Sequence, residues 1–309
     1  MSKQIYNNRE YKYDNIKFIL IFLVVFGHMI ENVEKLNSLY LIIYSFHMPV
    51  FVFVSGYFAK GNRKSIIRPI IIYAIFETIY FLIYKFILHE QIVINYLQPI
   101  WILWYIFALA IWNSLLVIVK KLKTTKNIYA YIIVAFAFLL SLICGYIDEI
   151  GYFLSLSRIV TFFPFFLLGY FSKNTNIGIV KKDDKNDKKI CFIYIFIAII
   201  CIIYFISIPS INRIWLYGSY SYRNGGYNII FKFFSSLFSL CMIFVFNNFV
   251  SNKETLISIA GKNTLFIYLL HGIIIKILFF YMKGILVINN VLVVCAIFII
   301  LTIAMIVRH

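Results

Sequence analysis

Apolar runs of about twenty residues, separated by short polar clusters, recur along the whole chain, and this pattern restricts the fold more than any motif does. About 20 helical residues cross a bilayer core, and in hydrocarbon every backbone N–H and C=O must be satisfied within the structure, which a helix does by itself. Marking the runs off between polar clusters predicts ten spans, near 14–31, 39–59, 65–88, 99–120, 127–147, 152–172, 189–208, 228–250, 262–282 and 285–307. Of 309 residues, 63% are hydrophobic and only 13% charged, far from the balance of a water-soluble domain. The charges fill the intervals between runs, so no stretch is polar enough to make a separate soluble domain. The expected fold is all-α: a polytopic integral membrane helical bundle of about ten transmembrane helices, with residues 1–309 as a single membrane-embedded domain.

The formal net charge of +17 would suggest a nucleic-acid partner in a soluble protein, but in a membrane chain it reads as topology, and no nucleic acid is expected. With the N-terminus inside, about 21 of the 29 Lys and Arg fall in inner segments, among them Lys12, Lys60, Arg63, Lys120, Lys173 and Lys253. That is the asymmetry of the positive-inside rule. Both termini are therefore expected in the cytoplasm, in a multi-pass membrane protein. The N-terminal stretch lacks a small-residue cleavage site and reads as a mature end. The inner run KKDDKNDKK, 181–189, reads as a solvated linker beside anionic lipid. Cys144, Cys191, Cys201, Cys241 and Cys295 each sit alone in an apolar run, without metal-ligand spacing, so they are expected only to pack, and no metal is expected.

Ionisable groups at membrane depth carry the functional signal, because each costs several kcal/mol unless it faces a cavity or a partner. Lys17 and His28 in the first span are eleven residues apart, about three helical turns, so they share a face about 16 Å apart along the axis. Asp14 and Glu31 flank that stripe. The bland alternative is a snorkelling Lys17 and a core-packed His28. His47 enters from the outer side to a similar depth, and Pro49 should kink that helix and free the Ser45 carbonyl. Ser55 and Gly56 allow close helix approach. Arg158, expected about two turns below the outer surface, needs an anion: a carboxylate, a phosphate or a negative transition state, with a structural tie to Glu77 as the plain alternative. His271 reads as a hydrogen-bonded helix contact. The outer loop WLYGSYSYRNGGYN, 215–228, suits stacking on sugar rings and equally suits an interfacial aromatic belt.

Six segments in order, YDNIKFILIFLVVFGHMIE, SFHMPVFVFVSGYF, PIWILWYIFAL, SRIVTFFPFFLLGYF, YGSYSYRNGGY and GKNTLFIYLLHG, make the chain resemble the membrane-bound acyltransferase-3 family, especially its fucose 4-O-acetylase-like branch. The family pattern of a basic residue, ten others and histidine is met by Lys17 and His28, with lysine where arginine is usual. The chain resembles the short form of the family, with no hydrolase-like domain after the bundle. The resemblance implies transfer of an acyl group, commonly acetyl, from cytoplasmic acyl-CoA to a hydroxyl of an exported or lipid-linked glycan. His28 would then act as general base with Glu31 orienting its ring, and Arg158 or His47 would stabilise the oxyanion or hold the acceptor. Lys17, Arg63, Lys64 and Arg68 would draw the CoA phosphates. Glu77, Trp104, Tyr220 and Arg223 are the expected substrate-binding residues. Acyl-CoA, the glycan acceptor and the bilayer are thus the expected partners, with assembly as a homo-oligomer left open.

Two other classes fit the same residues. Intramembrane His, Arg and Glu also suit a proton-coupled transporter or flippase of a glycan precursor, although the halves of the chain show no matching interrupted helices. A catalytically inactive scaffold is the blander alternative.

Overall fold

The computed structural model describes residues 10–122, 127–151, 153–175, 185–208, 210–262 and 264–282. No strand occurs among them. Nine long helices account for nine of the ten expected spans: α1 Tyr11–Ile30, α2 Asn37–Tyr57, α3 Arg63–Leu82, α4 Trp104–Lys121, α5 Asn127–Ile143, α6 Leu156–Thr175, α7 Lys185–Ser207, α9 Ile229–Phe249 and α11 Thr264–Met282. Two short helices, α8 Tyr222–Gly225 and α10 Leu256–Gly261, lie in the connections. Eight of the long helices are apolar enough over their length to cross a membrane, and α7 contributes a shorter apolar stretch, Phe192–Ser207. The expected span 285–307, with Cys295, lies outside the described residues. The basic run extends differently from expectation: residues from Lys185 onward are already helical, as the first turns of α7.

The ends of these helices are set by local chemistry. Asn62 caps α3 through a capping box with Ser65, each side chain accepting from the other's backbone N–H. Asn228 caps α9 by accepting from the Phe231 N–H. Helix α6 starts later than expected because Leu154 and Ser155 adopt φ of 51° and 50°, a left-handed conformation that breaks helical continuity. Arg158 therefore lies in the first turn of α6.

Helix α2 is the centre of the bundle and packs on α1, α6 and α9. Its contact with α6 depends on glycine at both crossing points. A Cβ at Gly56 would fall on the Phe166 carbonyl, and one at Gly169 on the Phe53 carbonyl, so the backbones touch as small-residue crossings allow. Pro49 frees the Ser45 carbonyl as expected, and that carbonyl accepts instead from Ser239 Oγ of α9 at 2.8 Å. Around this centre α3 pairs with α4, α5 with α6, α7 with α9, and α11 with α1.

Packing gathers the basic segments at one end. Lys17 pairs with Asp14 at 2.7 Å, Asn15 Nδ2 donates to the carbonyls of Ser251 and Lys253, and Lys120 donates to the Lys60 carbonyl. His28, in the last turn of α1, lies at the opposite end among the turns that follow α1, α3 and α7.

Candidate active site

At the His28 end a cavity of about 210 Å³ is lined by His28, Glu31, His47, Trp104 and Arg158 together with Tyr44 and Tyr217. Residues from α1, α2, α4 and α6, distant in sequence, thus converge on one space. Three helical turns separate it from Lys17, as the first span predicted.

His28 is held on several sides. Its Nδ1 is 2.9 Å from Tyr44 Oη and 3.8 Å from Glu31 Oε2, and the Trp101 ring meets the imidazole edge-on at 4.7 Å. Tyr44 reaches this position because the residue before His28 is glycine: a Cβ at Gly27 would come within 3.0 Å of the tyrosine ring. Glu31 also accepts, at the long distance of 3.5 Å, from the Tyr217 hydroxyl, which pairs with Tyr40 Oη at 2.8 Å. Burial acts to raise the Glu31 carboxyl, but the hydrogen bond and charge of His28, the Lys276 ammonium and the Tyr217 hydroxyl outweigh it, and the group lies below its ordinary value.

His47 is 3% exposed, with Nδ1 2.7 Å from the Ile43 carbonyl. A carbonyl only accepts, so Nδ1 carries the hydrogen, and in the neutral ring Nε2 is an acceptor. That tautomer can receive a hydroxyl hydrogen but cannot donate to an oxyanion. Arg158 has the opposite character. Nε donates to the Tyr217 carbonyl at 3.2 Å, an Nη reaches Ser219 Oγ at 3.4 Å, and the guanidinium stacks 5.2 Å above the Trp104 ring, so a cation is fixed at the cavity wall.

Other expected site residues lie elsewhere. Glu77, fully buried, does not line the cavity and is not the anion for Arg158. Both its oxygens accept from the Ile100 N–H at 3.1 Å, because the segment after α3 folds back over it. Tyr220 and Arg223 also stand apart: Arg223 is exposed and 3.9 Å from Asp148, and the Tyr220 carbonyl accepts from Tyr227 Oη. From the same loop it is Leu216 and Tyr217 that reach the cavity. Arg63, Lys64 and Arg68 are exposed in the first turns of α3, at the Lys17 end.

Sequence reasoning did not single out Tyr44, Trp101, Tyr217, Tyr268 or Lys276 around this site. The signal for Tyr44 was its spacing: Tyr40, Tyr44 and His47 follow at four and three residues on one face of α2. His271 makes the expected helix contact, Nδ1 to the Ile267 carbonyl at 3.1 Å. Its ring also lies 5.5 Å from that of His28, and its Nε2 is buried with no hydrogen-bond partner. Among the described residues no three His, Cys, Asp or Glu side chains are placed to hold a metal ion.

An acyltransferase domain model, that of the acyltransferase-3 family, matches residues 10–309. Two curated relatives are the nodulation protein NolL of Sinorhizobium fredii, 41% identical over 73 residues, or 21% of this chain and 20% of that protein, and NolL of Mesorhizobium japonicum, 40% identical over 68 residues, or 19% and 18%. The chain thus spans about a fifth of the length of these relatives. No solved structure gives a significant match. With the match running through every described helix, the chain belongs to the acyltransferase-3 family.

Proposed function

We propose that the protein moves an acetyl or other short acyl group from acyl-CoA to a hydroxyl of an exported or lipid-linked glycan, with residues 1–309 acting as one catalytic domain. The observation that carries this reading is the meeting of His28 with a fixed cation, Arg158, on one cavity near the end of the bundle. A cytoplasmic donor and an acceptor on the other side require such a site between the two faces. The segregation of Lys17, Lys60, Lys120 and Lys253 at the opposite end supports cytoplasmic placement of that end.

In this mechanism His28 Nδ1 donates its hydrogen to Tyr44 Oη or Glu31, leaving Nε2 to take the proton of the attacking sugar hydroxyl. The hydroxyl oxygen bonds to the thioester carbonyl carbon, and the charge that gathers on the carbonyl oxygen is met by Arg158. Collapse breaks the C–S bond, and the imidazolium returns its proton to the departing CoA sulfur. Glu31 holds the imidazolium by charge. His47, an acceptor at Nε2, cannot donate to the oxyanion. Trp104 supports Arg158 from beneath. Lys17, with Arg63, Lys64 and Arg68 on the same end, attracts the CoA phosphates by charge.

The test is transfer from [14C]acetyl-CoA by the purified chain in nanodiscs. His28→Ala is expected to lose at least 100-fold in rate while inserting and eluting as wild type does. Near wild-type transfer by that variant sinks the assignment.

A further inference from the structure

Behind Trp101 lies a second cavity, of about 180 Å³. It shares His28, Glu31 and Trp101 with the first, so the candidate base stands where the two meet. They differ in direction and lining. The first runs into the bundle past Val24, Met48 and Tyr268. The second opens toward Asn32 and Glu90, both exposed on turns beyond the helix ends.

The second lining combines two kinds of surface. Glu31, Glu90, Asn32 and Lys276 supply hydrogen-bond acceptors and donors, and Trp101, Phe279 and Phe280 supply flat apolar faces. Convergent polar groups against aromatic rings are what a sugar ring needs, with hydroxyls in its plane and C–H bonds on its faces. The Lys276 ammonium is held in the wall, 5.0 Å from the Trp101 ring centre and 5.6 Å from that of Tyr84.

Trp101 is fixed between the cavities. It adopts φ of 43°, in the left-handed region that a side chain as large as tryptophan rarely occupies. Both neighbours are pinned: the Ile100 N–H donates to Glu77, and the Ile102 carbonyl accepts from Tyr268 Oη. The partition therefore keeps a set orientation against His28.

We propose that the second cavity is the acceptor subsite. It takes one pyranose ring, stacked on Trp101 with its polar edge on Asn32 and Glu90 and the reacting hydroxyl toward His28, while the acyl thioester occupies the first cavity. This assignment rests on the transferase reading above.

The experiment uses the full chain in nanodiscs with [14C]acetyl-CoA and methyl α-L-fucopyranoside, and methyl α-D-glucopyranoside in parallel. Glu90→Gln and Asn32→Ala are expected to raise the glycoside KM at least tenfold and leave the acetyl-CoA KM within twofold. Separately, thiol labelling of Asn32→Cys, with wild type as background, is expected to slow at least fivefold with glycoside and to be unaffected by CoA. Transfer in which both variants keep the wild-type glycoside KM overturns the subsite and leaves the chemistry standing, and so does labelling that glycoside does not slow. Protection of Asn32→Cys in a chain that transfers nothing sinks the chemistry and leaves a sugar site.

Discussion

The tautomer of His28 decides whether it serves as a base, and Tyr44 and Glu31 set it together. If Nδ1 bears the hydrogen, Nε2 is the basic nitrogen; if Tyr44 donates to Nδ1, Nε2 bears the hydrogen and cannot accept one. Glu31 decides between them, because a carboxylate beside Nδ1 favours the hydrogen there. Tyr44→Phe should therefore cost less than Glu31→Gln: about tenfold in kcat against about 100-fold, with the acetyl-CoA KM unchanged in both. Larger loss in the tyrosine variant would mean that Tyr44, as acceptor, and not Glu31 holds the hydrogen on Nδ1. Glu31 also makes a pH prediction. Its folded value lies below the ordinary one, so its contribution to stability is fully present above about pH 4.3 and drains away as pH falls through the lower folded value. Thermal unfolding of Glu31→Gln should show a flatter acid limb than wild type, and identical limbs would show that the pairing with His28 contributes nothing. These residues were unequally legible in the sequence. Histidine in an apolar run is conspicuous, whereas a tyrosine among 24 is not, even when it is the group that orients the histidine.

At the scale of elements, two contacts carry the arrangement of α2. The Gly56 and Gly169 crossings bring α2 and α6 to backbone contact, so Gly56→Leu must push the helices apart because the obstacle is backbone and cannot rotate away. Overpacking of this kind costs about 1–3 kcal/mol, and it should separate His47 on α2 from Arg158 on α6. The Ser239 hydroxyl on the Ser45 carbonyl is smaller in effect: Ser239→Ala should cost about 0.6 to 1.7 kcal/mol, read as a lower melting temperature with little loss of transfer. Reversal of that order would mean that α2 is held around Pro49 by the hydroxyl more than by the helix crossing. The nine described spans and the release of the Ser45 carbonyl by Pro49 were readable in advance because they depend on local composition and on one missing N–H. Helix crossings were not, since in a bundle that is apolar on nearly every face periodicity does not say which face meets which neighbour. That is why Glu77 read as a partner for Arg158 and proved to be a clasp on the Ile100 amide. The late start of α6, which puts Arg158 in its first turn, depends on two left-handed residues, Leu154 and Ser155, whose types give no sign of it.

Across the whole molecule the site is off-centre. The cavities lie at the His28 end, and the lysines that would attract CoA lie three turns of α1 away, so the bulky nucleotide and the reacting thioester must occupy opposite ends of one slender arm. The bundle must then admit that arm lengthwise, which the first cavity begins to do where it passes Val24 and Tyr268. The arrangement works only if the two ends face different compartments, and this can be tested without any substrate. Asn224, exposed on α8 in the loop that carries Tyr217, and Asn62, exposed at the start of α3 near Lys60, mark the two ends. In intact cells a membrane-impermeant maleimide should label Asn224→Cys and spare Asn62→Cys until the membrane is opened, judged against the unsubstituted chain. Labelling in the reverse order would put His28 on the cytoplasmic side together with the acyl-CoA, and an acceptor outside the membrane would then have no route to the base.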